Sequence, residues 1–326
     1  MMTFVFLTLL LLDVSDQGLV LHRQAEALVQ AGRHQEAFDL LSPFVSEKEI
    51  TQETRGKTLV RLLFLSLKLG KDLEPLRQEM LDSDRCDASI RLEGISTVLR
   101  HVLIEPDALS EQALAPWLEA LENSDQAPAT EAKDFWLMAN SLSAQWFLRG
   151  GKREEASQRL KKVFDQIPAR EPLSRPVSSL LFFSMIQLAD AHANSDQVPQ
   201  ALAFYQRLQK TEELELDGPQ KCLLWLRLAE GYRLEGSSPY AAHYFEELLA
   251  LADTLDASHR CYFRAKAHLG LALVYRQWNN LVEARDAFFQ AEAGFSDPQC
   301  RDRFSPAEHG QLDQLRPHLV ETVGKP

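Results

Sequence analysis

The stretch WLRLAEGYRLEGSSPYAAHYFEEL, residues 225–248, decides the fold. Trp225, Leu228 and Tyr232 recur at three- and four-residue steps, which places them on one face of a helix. Gly236-Ser237-Ser238-Pro239 closes that helix and opens another. Glycine is the usual helix stop, and proline is tolerated in a first turn because that turn needs no donor. Ala241, Phe245 and Leu248 mark the inward face of the second helix. Ala229 and Ala241 are small enough for the two backbones to approach closely, while the large residues fill the gaps between successive pairs.

The same grammar appears at Gly32, at Gly150-Gly151 and at Asn279-Asn280. It appears again between Asp190 and Leu208. There Asn194 closes a helix, and Ser195 and Asp196 offer side-chain oxygens to the free N–H groups of the next one. Pro199 fits its first turn, and Ala201, Phe204, Tyr205 and Leu208 form its apolar face. Across the chain the pattern returns seven times, anchored at Ala37, Pro75, Ala113, Ala156, Ala201, Ala241 and Ala284, at intervals of 38, 38, 43, 45, 40 and 43 residues. Periods of this size mark repeat arrays. No segment alternates apolar and polar residues over five positions, so no strand is expected.

These residues resemble the tetratricopeptide repeat (TPR) family. Trp225, Leu228, Ala229, Tyr232, Ala241 and Phe245 fit one unit, and Leu271, Ala272, Tyr275, Ala284, Phe288 and Ala291 fit the next. Met185, Leu188, Ala189, His192, Ala201, Tyr205 and Leu208 fit a third, with His192 in a core aromatic position. Weaker matches run through Ala144, Phe147, Ala156, Leu160 and Val163, and through Leu21, Ala25, Leu28, Ala37, Leu41 and Phe44. The units anchored at Pro75 and Ala113 rest on spacing. The period exceeds the family's usual value of about 34 residues, which helices extended by a turn or two explain. The resemblance implies an all-α fold, a right-handed superhelical solenoid of helix–turn–helix repeats, with about seven units and a C-terminal capping helix. Leu312, Leu315 and Leu319 give that cap one apolar side. The expected organisation is an apolar N-terminal segment over 1–17, degenerate helical repeats over 18–122, TPR-like repeats over 123–300, and a capping helix and tail over 301–326.

The formal charge is −12, so the surface on average repels nucleic acid. The most basic run, Lys152, Arg153, Arg159, Lys161 and Lys162, is interleaved with Glu154 and Glu155 and reads as a solvated face. Cys86, Cys222, Cys261 and Cys300 form no C-x-x-C pair and read as ordinary half-buried thiols, while their even number leaves an oxidising compartment open. Residues 3–12, TFVFLTLLLL, are too few to span a bilayer. The start lacks Lys or Arg, and Asp13-Val14-Ser15-Asp16-Gln17 is a poor cleavage site. This segment is either a helix capping the first repeat or a signal or anchor.

In the resembled family the inner face of each first helix lines a concave groove. The matching positions that carry polar groups here are Gln145, Arg149, Asp190, Asn194, Glu230, Arg233, Lys266, Arg276 and Gln277. Apolar positions such as Phe183, Ile186, Leu226, Leu234 and Leu269 lie among them. A peptide or partner helix with apolar anchors and acidic flanks suits this surface. The competing reading is that Asp190 and Glu230 pair with neighbouring arginines across the groove. The Lys and Asn set with which some family members clamp a terminal carboxylate is not reproduced, although Asn194 sits near such a place. Trp278, at a turn, either covers a helix end or anchors a partner.

No His-Glu-x-x-His, phosphate loop, G-x-S-x-G or Cys–His signature occurs, so no catalytic residue, metal or cofactor is expected. The expectation is a non-enzymatic, cytoplasmic scaffold or adaptor that binds a protein or peptide, with membrane contact only through residues 3–12. Two alternatives stand beside it. One is an exported or membrane-tethered repeat protein that assists envelope-complex assembly; the other is a peptide-sensing regulator.

Overall fold

A computed structural model describes residues 16–46, 51–81, 86–124, 132–167 and 172–320. The apolar segment at 3–12 lies outside them, as does the end of the tail. Among the described residues there are fifteen α-helices and no strand. The chain divides into two compact units, Met1–Gln166 and Ile167–Pro326. The first holds four helix pairs: α1 (Asp16–Gln30) with α2 (His34–Leu41), α3 (Gln52–Leu69) with α4 (Glu74–Leu81), α5 (Ala88–Ile104) with α6 (Glu111–Glu122), and α7 (Lys133–Arg149) with α8 (Arg153–Asp165). The second holds α9 (Arg175–Ala193) with α10 (Val198–Lys210), α11 (Gly218–Glu235) with α12 (Ser238–Ala252), α13 (Ala257–Gln277) with α14 (Leu281–Ser296), and the cap α15 (Pro306–Leu319). Within each unit every helix packs on its chain neighbours. Seven hairpins and a cap match the repeat count expected from the sequence.

Six of the seven hairpin turns are the same backbone device. An N–H two to four residues beyond the helix end reaches back to a carbonyl five residues earlier, as in Arg33 to Leu28, Lys71 to Ser66, Lys152 to Phe147, Gln197 to His192, Ser237 to Tyr232 and Asn280 to Tyr275, at 2.8–3.0 Å. This is the Schellman closure, which satisfies orphan carbonyls and needs one left-handed residue. Gly236 supplies it at φ 89°, and Asp196 and Asn279 supply it at φ 59° and 58°. The expectation for 190–208 is therefore corrected. Asn194 stays right-handed, Ser195 donates to the Ala191 carbonyl, and Gln197 precedes α10 without a side-chain cap. A turn this tight serves its own backbone groups. Side-chain caps sit instead mostly in the longer loops between hairpins, at Thr51, Asp87, Asp217, Asp256 and Ser305, and α6 also has one at Ser110.

Ala37, Ala156, Ala201, Ala241 and Ala284 are fully buried between paired helices. Pro75 and Ala113 are exposed, and Met80 and Leu114 take the buried places in α4 and α6. Three glycines add notches that receive a side chain from the preceding helix pair. A Cβ on Gly94 would lie 2.4 Å from Met80, one on Gly231 2.7 Å from Leu202, and one on Gly270 2.1 Å from the Phe245 ring. Arg159 departs from the solvated basic face expected for its run. It is buried and donates to Glu122 at 2.8 Å and Asn140 at 3.3 Å.

The cysteines also depart from expectation. Cys261 and Cys300 form a disulfide across 39 residues, which joins α13 to the segment ahead of α15. A separation of one repeat hides this pair in the sequence, because only the hairpin brings its ends together. Cys86 and Cys222 are buried and free, and burial pushes their thiols up to about 11 and about 12. Among the described residues no helix is long and apolar enough to cross a membrane.

Candidate binding face

In the second unit α9, α11 and α13 are the leading helices of successive hairpins, and α15 follows as the cap. Each carries a charged residue toward the next. Arg227 on α11 donates from Nε (3.1 Å) and a terminal nitrogen (2.9 Å) to Asp190 Oδ2 on α9, and from its other terminal nitrogen to Glu230 (3.0 Å). Tyr205 on α10 donates its hydroxyl to the second oxygen of Asp190. Lys266 on α13 lies 3.4 Å from Glu230 and 2.8 Å from Glu308 on α15. Glu308 in turn closes a capping box with Ser305. The result is one ladder of alternating charge across four helices.

The ladder fixes its own protonation. Burial alone would weaken the Arg227 guanidinium as a base, but Glu230 and Asp190 outweigh it and hold its pKa above the usual value. Lys266 behaves alike between Glu230 and Glu308. Burial and the Asp190 charge push the Tyr205 hydroxyl upward, so it remains a donor. A buried charge with complete partners is held in one place, and loss of a partner is costly.

Asp190, Glu230 and Lys266 therefore meet in the ladder, joined by Arg227. Arg233 and Arg276, at the ends of α11 and α13, make no hydrogen bond or ion pair with described residues. They stand beside exposed apolar groups, Leu234 (54%) and Trp278 (44%). Gln277 accepts a 2.9 Å hydrogen bond from Ser238, which ties the end of α13 to the start of α12. Asn194 is exposed at the end of α9. Ile186, Leu226 and Leu269 are buried and belong to the core. Gln145 and Arg149 lie on α7 in the first unit, where Gln145 is half-buried and Arg149 donates to the Leu103 carbonyl. His192 is a core residue, bonded to Gln197 at 2.6 Å and stacked on Phe204.

The competing sequence reading, that Asp190 and Glu230 pair with neighbouring arginines, holds through Arg227, a residue it did not name, while Glu308 and a second cluster in the first unit were missed. There Arg61 on α3 donates to the His22 carbonyl (2.7 Å) on α1 and lies 3.7 Å from Glu26. His22 bonds Thr58 at 3.0 Å. Glu93 on α5 feels Lys57, Arg61 and Arg100, yet burial pushes its carboxyl up to about 7. Burial, reinforced by Arg61 and Lys57, lowers His22 to about 4. One signal for the second-unit ladder was available: Asp190, Arg227, Lys266 and Glu308 recur at about the repeat period.

The crystal structure of the C-terminal part of a TPR repeat-containing protein from Cytophaga hutchinsonii aligns with this chain at a TM-score of 0.53, covering 89% of this chain and 98% of that one, with 13% identity. The fold is TPR-like. No protein-family model matches the chain, and no curated protein does. The TPR-like likeness is one of architecture, since identity this low carries fold alone. In TPR-like terms the ladder runs along the leading helices, the elements whose matching positions the sequence singled out.

Proposed function

We propose that this chain is a non-enzymatic interaction scaffold that binds a peptide or partner helix along α9, α11 and α13. One observation carries the reading. The ladder uses Asp190, Glu230 and Lys266 internally, while Arg233 and Arg276 stand unpaired beside exposed Leu234 and Trp278. An acidic residue flanking an apolar anchor answers both kinds of group. The ladder then serves as the rigid floor, and the helix ends serve as the reader. A pull-down comparing the wild type with the Arg233→Glu/Arg276→Glu variant tests this. Loss of partners that also weaken with added salt is expected. Recovery of the same partners by both proteins removes the proposal's support.

A second reading has its own observation. The Cys261–Cys300 disulfide is the kind of bond that persists in oxidising compartments, and the apolar stretch at 3–12 has the length of a signal core. Both favour an exported or tethered scaffold over a cytoplasmic one. Cell fractionation with N-terminal sequencing decides. An intact Met1 in the soluble cytosol excludes export.

A further inference from the structure

We propose that the Cys261–Cys300 disulfide is a redox latch on the C-terminal cap, opened by an external dithiol and closed again by exchange with an external disulfide, which is reduced to two thiols. The cap begins at Cys300 and continues through the turn Arg301–Arg303, Phe304 and α15. Its other attachments are modest and local. Phe304 stacks on Phe295 at 3.9 Å and on Tyr262 at 5.3 Å, and Arg303 lies 4.7 Å over the Tyr262 ring. Leu312, Leu315 and Leu319 are buried, the ion pairs Lys266–Glu308 and Glu292–Arg316 reach α13 and α14, Arg285 donates to the Leu319 carbonyl at 2.9 Å, and Arg303 donates to Ser258 at 3.3 Å. The chain itself joins the cap to α14 through residues 297–299, and the disulfide adds the covalent tie to α13. Without it the cap docks as a tethered segment and opens more often.

The two sulfurs differ in access. Cys300 is 1% exposed. Cys261 is partly exposed and lines a surface hollow of about 340 Å³ together with Arg260 and Arg264. Arg264 is paired with Asp253 at 2.6 Å and Asp297 also lines the hollow, so Arg260, which among the described residues bonds only the neutral Leu255 carbonyl, is the cation left to draw an incoming thiolate toward the Cys261 sulfur. The step is thiol–disulfide exchange. One thiolate of the dithiol bonds to Cys261 Sγ, the Cys261–Cys300 bond breaks, and Cys300 leaves as a thiolate that takes up a proton. The second thiol of the reagent, losing its proton, attacks its own sulfur in the mixed disulfide and releases Cys261. The reagent becomes a disulfide and the protein gains two electrons and two protons. Cys86 and Cys222 are buried and take no part. Opening also separates Glu308 from Lys266, which leaves Glu230 as the remaining carboxylate partner of Lys266.

The test uses the full chain. Thiol titration after denaturation should find two thiols in protein equilibrated with oxidised glutathione and four after dithiothreitol. Hydrogen exchange should then show the amides of α15 exchanging roughly tenfold or more faster in the reduced protein, with α9 and α10 unchanged, and reoxidation should restore protection. The Cys261→Ser/Cys300→Ser variant should match the reduced protein and ignore reductant. Four thiols in the oxidised sample, unchanged α15 exchange on reduction, or acceleration spread equally over α9–α14 would each overturn the latch. Reduction of the wild type supplies the answer even where the variant fails to fold.

Discussion

The two units treat charge between leading helices in opposite ways. In the second, Arg227 and Lys266 meet three carboxylates at hydrogen-bonding or near distances, and each ion is satisfied by a neighbouring helix. In the first, Arg61 spends its best hydrogen bond on a carbonyl, stands 3.7 Å from Glu26, and leaves Glu93 in surroundings that favour its neutral form. The same residue types at the same kind of position therefore give a fixed floor in one unit and a proton-sensitive one in the other. Geometry, more than composition, decides which.

The comparison breaks most readily at Arg227. Replacing it with Met leaves Asp190 the Tyr205 hydroxyl and Glu230 the Lys266 ammonium at 3.4 Å, and because the site is about 30% solvent-exposed the loss should be about 2–3 kcal/mol rather than the larger figure of a sealed pair. Faster hydrogen exchange in α9–α13 is the measurement, and unchanged exchange there would show that the ladder adds nothing. Glu93→Gln comes next. The native carboxyl titrates near 7 and the unfolded one near 4.5, so between these values the folded chain holds a proton that the unfolded chain has released. Stability from this group falls as pH rises through that window and stays low above it. Glutamine removes the penalty, so the variant should gain about 3 kcal/mol at pH 8 and nothing at pH 4. A pH-independent gain would refute the assignment.

His22 sharpens the same test from the other side. Its folded value near 4 lies below the ordinary 6.5, so stability is lost as pH falls from 6.5 toward 4. With Glu93 replaced, this acid limb should show clearly in the pH profile of thermal unfolding, together with those of His101 and His268, which burial also lowers, and His22 should contribute about 2–3 kcal/mol of the span. The smallest effect is expected at Asp196, a non-glycine residue at φ 59°. Asp196→Gly relieves the left-handed strain but frees the unfolded chain, so the net shift should stay within about 1 kcal/mol, detectable as a small change in urea midpoint.

Much of the architecture was legible because repetition amplifies a weak local signal. The alanine anchors at 37, 156, 201, 241 and 284 mark true pinch points. Pro75 and Ala113 fit the spacing but not the packing, since α4 and α6 are held by Met80 and Leu114, residues of no special local signature. The turns were found, yet their chemistry was misassigned at Ser195 and Asp196, where backbone closure replaces side-chain capping. The candidate face was half legible. Asp190, Glu230 and Lys266 were singled out, with arginine partners offered for the first two, but the pairs Arg227–Asp190 and Lys266–Glu308 join different helices, and pairing across hairpins depends on helix rotation that no single segment records. The disulfide was hidden for the same reason.

The glycine notches carry a consequence for how such a chain could change over time. Met80 seats in Gly94, Leu202 in Gly231 and Phe245 in Gly270, so three junctions hold three knobs of different size. Each hairpin is keyed to its own predecessor. Exchanging or deleting one hairpin would set a ring against a socket shaped for a smaller chain, so this array is written in a fixed order and its units are not spare parts for one another.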